Sequence, residues 1–151
     1  LDAIICPVGG GGLLAGTILS AHYFSPMTKV YAGEPEGADD AYQSFLQKKL
    51  IPQKEPKSIA DGLLTSLGKQ NFEIILEGAN AIFTVNDSEL LAAMRLIWER
   101  MKIIIEPSCA VPFAAVLKNK ALFENKKIGI ILSGGNVDLE HYFKQLNSIS
   151  F

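Results

Sequence analysis

The 151-residue sequence predicts an α/β fold, a twisted and mostly parallel sheet with helices on both faces. Three observations carry that prediction. Strand-like and helix-like stretches alternate along the chain, the strand-like ones are apolar throughout (Ile128-Gly129-Ile130-Ile131-Leu132), and two glycine-rich loops each follow such a stretch. In sheets of this class ligands collect beyond the carboxyl ends of the strands, where both loops would lie.

Ala3-Ile4-Ile5-Cys6-Pro7-Val8 reads as the first strand, about 3–8, and the apolar run beginning Leu13-Leu14-Ala15 reads as a helix over 13–23. A second strand is predicted over 29–33 and a helix over 39–49, where Asp39 and Asp40 suit the positive end of a helix. A Pro-containing loop over 50–60 precedes a helix over 71–77 and a strand over 81–85. Asn86-Asp87-Ser88-Glu89 is a capping sequence, with Asn86 as cap and Glu89 three residues on. It opens a helix over 87–101, whose apolar face is Leu90, Leu91, Met94, Ile97, Trp98 and Met101. Trp98 and the methionines read as core. A helix over 109–118, a strand over 127–132 and a closing helix over 139–146 complete the order.

A net charge of −2 with no basic cluster argues against nucleic acid, whose phosphates need a Lys/Arg stripe. No apolar run approaches the ~20 residues of a membrane span. The two cysteines, Cys6 and Cys109, form no disulfide framework and have no metal-ligand spacing, so they read as small core residues of a cytoplasmic protein. The chain opens on Leu1-Asp2 and enters a strand at once, as the middle of a longer protein would.

Gly9 to Gly12 join the first strand to the first helix. One glycine would suffice for a left-handed turn, and each further one costs about 0.5–1 kcal/mol in an ordered element. The run is explained by an anion: consecutive N–H groups can point into one concavity, at the positive end of the following helix. A Walker loop is excluded, because no Gly-Lys-Ser/Thr follows. A dinucleotide fingerprint is not, since Gly10-x-Gly12-x-x-Ala15 has its form and Glu34 stands at the end of the next strand to bind a ribose.

The second loop, Ser133-Gly134-Gly135-Asn136, presents a hydroxyl and an amide after the last strand. Pro7 to Gly16, Ile-Ala-Asp-Gly (59–62), Trp-Glu-Arg-Met-Lys (98–102), Glu-Pro-Ser (106–108) and Leu-Ser-Gly-Gly-Asn-Val-Asp-Leu (132–139) occur in one order. Together they resemble the carboxyl-terminal half of the serine racemases and serine/threonine dehydratases, fold-type II pyridoxal-phosphate enzymes, over essentially the whole chain. The resemblance displaces the dinucleotide reading. It implies that Gly9, Gly10, Gly11, Gly12 and Leu13 hold the phosphate of pyridoxal 5'-phosphate and that Ser133 hydrogen-bonds the pyridine nitrogen. A hydroxyl there is too weak an acid to keep the ring protonated, which suits β-elimination or prompt reprotonation at Cα. Glu106 matches a glutamate near the ring and reads equally as a buried, paired carboxylate.

The resemblance also implies a divalent-cation site (Mg²⁺, Ca²⁺ or Mn²⁺) from the Glu34 carboxylate, the Ala38 carbonyl and the Asp40 carboxylate. By composition alone Glu34 to Asp40 is a solvated turn and helix start. Lys102 and Asn136 match two contacts of the ATP effector site in animal members, although a lysine ending a helix is also a favourable dipole charge. The family's cofactor-bearing lysine lies in an amino-terminal Ser-x-Lys-type segment, and its second proton donor lies in the small domain. Neither motif occurs here, so no catalytic residue is expected in this chain. Residues 1–151 would be the carboxyl-terminal part of the large domain, partnered by the amino-terminal portion of the same enzyme, in a homodimer that takes a small amino-acid substrate. A nucleotide-binding oxidoreductase module and a non-catalytic regulatory domain are the competing classes.

Overall fold

The computed structural model describes residues 1–146. Their four strands, β1 (Ala3–Pro7), β2 (Lys29–Pro35), β3 (Ala81–Val85) and β4 (Ile128–Ile130), form one parallel sheet in the order β3-β2-β1-β4. Ala3 of β1 registers with Lys29 on one side and Ile128 on the other, and Tyr31 of β2 registers with Ala81. The helices are α1 (Gly12–Phe24), α2 (Asp40–Gln47), α3 (Lys69–Gly78), α4 (Asp87–Leu96), α5 (Pro107–Lys118), α6 (Lys120–Phe123) and α7 (Leu139–Leu146).

Successive strand residues face opposite sides of a sheet, and the core divides along that alternation. Ala3, Ile5, Tyr31 and Val85 pack with Leu90, Ala93 and Met94 of α4 and with Cys109, Ala110 and Val111 of α5. On the other face Cys6, Val8, Val30, Ala32 and Ile82 pack with Leu14, Ala15 and Ile18 of α1 and Phe72 and Ile75 of α3. Each strand is therefore covered on both sides, which is why the strand sequences are apolar throughout.

The predicted elements are found in the predicted order, with informative differences at their ends. Helix α5 starts at Pro107, two residues before the expected start, because the first helical position needs no N–H donor and suits proline's fixed φ. Strand β4 is shorter than 127–132; it pairs with β1 alone, and Ile131 adds one backbone bond to Ile5 at 3.0 Å. Two 3₁₀ turns, Glu36–Ala38 and Asp61–Leu63, and the short α6 lack the periodicity that would announce them.

The helix expected over 87–101 is continuous but changes winding, since Ile97–Met101 form a π turn. That wider turn puts its last residues out of the 3.6-residue phase. Met94 is buried and Trp98 packs against the core, but Met101 is 55% exposed and Met27, in the turn before β2, is 89% exposed. The expectation that all the methionines are core is corrected accordingly.

Both cysteines are buried and free, and burial pushes the Cys6 thiol up to about 11. No helix among the described residues is long and apolar enough to cross a membrane.

The expected capping box is present. Asn86 Oδ1 accepts the Glu89 N–H at 2.9 Å, and Glu89 Oε2 accepts the Asn86 N–H at 2.9 Å. Asn86→Ala is expected to lower folding stability by about 1 kcal/mol, measured as a shifted denaturation midpoint at unchanged slope; an unmoved midpoint would show that the cap contributes nothing.

Candidate cofactor site

Because β1 and β4 are parallel neighbours, the chains leaving their carboxyl ends emerge side by side. A cavity of about 210 Å³ opens there, lined by Pro7, Gly9 to Gly12, Leu13, Gly62, Leu63, Glu106, Ser108 and Ser133. The seven residues assigned to the cofactor by resemblance, Gly9, Gly10, Gly11, Gly12, Leu13, Glu106 and Ser133, thus border one space. Larger cavities, of about 580 Å³ beside α1 and β4 and about 420 Å³ beside the π turn, are lined mainly by apolar side chains. Neither of these two borders both glycine-rich loops, as the smaller one does.

Two helices present their amino ends to this cavity. Gly11 caps α1 at φ 85° and Glu106 caps α5, and neither end has a side-chain capping bond. The first N–H groups of a helix lack intrahelical partners and carry its positive end. No Lys or Arg lines the cavity, so its attraction for an anion comes from backbone dipoles. Gly11 cannot be replaced without strain: a Cβ there would come within 2.5 Å of Leu67 Cδ1, at a backbone conformation that side chains rarely adopt.

Backbone bonds hold the surrounding loops. The Gly10 carbonyl accepts from Gly68 N at 3.1 Å and from Asn71 Nδ2 at 2.7 Å. Gly62 N–H donates to Ser108 Oγ at 3.0 Å, which docks the 59–62 segment on the start of α5. Glu106 braces the second loop: its N–H donates to Gly134 O at 3.2 Å, and its Oε2 accepts the Asn136 N–H at 3.1 Å. A Cβ on Gly134 would lie 2.5 Å from the Glu106 carboxylate. Burial pushes the Cys109 thiol up, partly offset by the Gly134 and Ser133 N–H groups beside it. The Glu106 carboxylate is therefore both a cavity wall and a structural brace; it is half-buried and bonded to a backbone N–H, and not the buried, paired carboxylate of the second reading.

Gly62, Leu63 and Ser108 join the site although sequence reasoning gave them no role. The motifs containing Gly62 and Ser108 were visible, but nothing local shows that a bond between them closes the cavity. Asn71 lies outside every motif and is tied to the first loop only by the fold.

Glu34 is fully buried at the end of β2, and its two carboxylate oxygens accept the Ala41 and Tyr42 N–H groups at 3.0 and 2.7 Å. Burial pushes its carboxyl up to about 9, with the N–H groups opposing and the Asp40 and Asp39 charges adding to the rise. Asp40, also buried, accepts from Leu67 N at 2.7 Å and Gln53 Nε2 at 3.1 Å, and burial raises its carboxyl as well. Ala38 is buried in the 3₁₀ turn between them. The segment is a packed connection and not the solvated turn that composition alone suggests. Among the described residues no group of three His, Cys, Asp or Glu forms a metal cluster.

Glu34 is buried and does not border the cavity at Gly9 to Gly12, so the dinucleotide reading loses its acidic residue. Lys102, at φ 59°, lines the 420 Å³ cavity with Trp98, Ile104 and Phe143, whereas Asn136 does not border it.

Comparison with known proteins agrees with this geometry. The profile of the family described as "Pyridoxal-phosphate dependent enzyme" matches residues 1–134. A serine racemase of Dictyostelium discoideum is 54% identical over 97% of this chain and 47% of its own length. A beta-hydroxyaspartate dehydratase of Paracoccus denitrificans is 46% identical over 93% of this chain and 44% of its own. The structure of maize serine racemase superimposes with a TM-score of 0.89 at 39% identity, covering 97% of this chain and 47% of that one. The chain spans about half the length of the curated relatives it matches. A four-stranded parallel sheet, a glycine-lined cavity at its carboxyl edge and a profile match over most of the sequence lead to one conclusion: the chain belongs to the pyridoxal-phosphate dependent enzymes.

Proposed function

We propose that this chain supplies the phosphate end and the ring-nitrogen end of the cofactor site in an enzyme that racemises or β-eliminates serine or a related β-hydroxy amino acid. The observation that carries the reading is the convergence of Gly9 to Gly12 and Ser133 on one cavity. The residues fit the group. Gly12 has open space around the position of a Cβ, so a phosphate can approach the backbone, and unpaired helix-end N–H groups supply donors without a cation. The Ser133 hydroxyl stands at the opposite loop and can donate to a neutral ring nitrogen. When bound, the cofactor supplies an electron sink for the Cα carbanion common to racemisation and β-elimination.

Gly9, Gly10, Gly11, Gly12 and Leu13 bind and orient the phosphate in this reading, and Ser133 sets the ring's protonation. Glu106 keeps the Ser133 loop in register through its bonds to Gly134 and Asn136. The cofactor-bearing lysine comes from an amino-terminal portion of the same enzyme. Two features support that division: the relatives are about twice as long, and β4 is an edge strand beside the apolar 580 Å³ groove. A serine racemase and a beta-hydroxyaspartate dehydratase among those relatives support the substrate class.

Ser133→Asp in the complete enzyme is expected to leave the cofactor bound, seen by its absorbance, and to lower turnover by about a hundredfold, the scale on which small changes at a reacting centre act. A carboxylate would keep the ring nitrogen protonated, prolonging the carbanion and diverting it from prompt reprotonation or elimination. Racemisation and elimination kinetics equal to those of the unchanged enzyme would sink the assignment of Ser133.

Glu34, the Ala38 carbonyl and Asp40 are the proposed cation ligands. Both carboxylates already accept backbone N–H groups, so replacing either would weaken the β2 to α2 connection even without a metal. Chelation is the cleaner test. Removing divalent cations is expected to lower both melting temperature and activity, and returning Mg²⁺ is expected to restore them by mass action; both quantities unmoved would eliminate the site.

A further inference from the structure

The Gly10 carbonyl is gripped from outside the cavity. Asn71, in the first turn of α3, donates to it from Nδ2 at 2.7 Å, and the Gly68 N–H donates at 3.1 Å. Neither Gly68 nor Asn71 lines the cavity, whereas Gly10 and Gly11 do. The Gly10–Gly11 peptide is trans, so its C=O and N–H point in opposite directions. Holding the oxygen toward α3 turns the Gly11 N–H away from α3 and toward the cavity.

A peptide between two glycines reverses at little steric cost, because neither residue carries a Cβ. Reversal here would exchange a donor for a carbonyl oxygen on the cavity wall, and an anion would meet repulsion in place of a hydrogen bond. Asn71 opposes that reversal in two ways. Its amide binds the oxygen, and its Cβ lies 3.0 Å from where a Cβ of Gly11 would stand, so its stem packs against Gly11. A donor on the carbonyl also polarises the peptide and strengthens its N–H as a donor.

We propose that Asn71 is a positioning residue for the phosphate cradle, one that locks the Gly10–Gly11 peptide with its N–H directed at the bound anion. This inference rests on the cavity taking the cofactor's phosphate. Asn71 does not touch the ligand and acts through the peptide it holds.

The test uses the complete protein that contains this chain and compares its affinity for pyridoxal 5'-phosphate with that for pyridoxal, which lacks the phosphate. Asn71→Ala removes the amide, and Asn71→Leu removes it while keeping the branched shape of the side chain. The ratio of the two affinities cancels any loss that comes from weakened folding, since such a loss affects both ligands. Each variant is expected to lose about three- to tenfold of the preference for the phosphorylated form, the size of one net hydrogen bond, with pyridoxal affinity little changed. A preference equal to that of the unchanged protein, or equal weakening for both ligands, overturns the role of Asn71 while leaving the cofactor site standing. An unchanged protein with no preference for the phosphorylated form overturns the cofactor reading itself, and this inference with it.

Discussion

Parallel pairing of β1 with a strand on each side is the constraint from which the site follows. Ile5 is level with Ile130, and the Ile131 N–H bonds to the Ile5 carbonyl, so β1 and β4 run side by side to the same edge of the sheet. The loop after β1 and the loop after β4 therefore leave that edge as neighbours and border one cavity. Because side chains alternate between faces, a slip of one residue would also move Ile5 and Cys6 into each other's core cluster. The register that builds the two cores is the register that builds the site.

The cavity wall combines two kinds of polar group. Gly9 to Gly12 give it backbone at the start of α1 with no charged side chain, and Ser133 and Glu106 give it a hydroxyl and a carboxylate. That arrangement suits a ligand with an anion at one end and a basic ring nitrogen at the other. Glu106 would repel the anionic end if it stood free, but its Oε2 is engaged by the Asn136 N–H and its backbone by Gly134.

How much of this was legible in the sequence depended on whether the determinant was local. The strands, the long helices and the capping box at Asn86 follow from periodicity and short-range hydrogen bonding, and their kind and order were read correctly even where ends such as those of β4 and α5 were not. The glycine run and the Ser133 loop were legible because each carries its signal in consecutive residues, and their order along the chain identified the family. The π turn at Ile97–Met101 was not, since it repeats neither at 3.6 nor at 2, and it carries Met101 out to solvent. Nor was the burial of Glu34, an acidic residue that composition assigns to the surface until Ala41 and Tyr42 are seen folding over it. Contacts such as Gly62 to Ser108 span 46 residues and have no local trace at all.

A cradle made of backbone N–H groups moves the determinants of binding away from the residues that touch the ligand. Glycine offers no side chain to vary at the cavity wall, and the direction of each N–H is set by what holds the carbonyl of the same peptide. For the Gly10 carbonyl those holders are Gly68, which caps α3, and Asn71 in its first turn; for the Gly134 carbonyl of the second loop the holder is the Glu106 N–H at the start of α5. Glycine motifs therefore identify where such a site is, whereas its strength is decided by side chains one layer behind, on helices whose other duty is to pack against the sheet. Phe72 and Ile75 of α3 are buried in one core cluster with Leu14 and Ile18 of α1, and that packing places Asn71 beside Gly10. Core packing and the Gly10 peptide are coupled through that helix, so a substitution that shifts α3 against α1 would alter the loop without touching it.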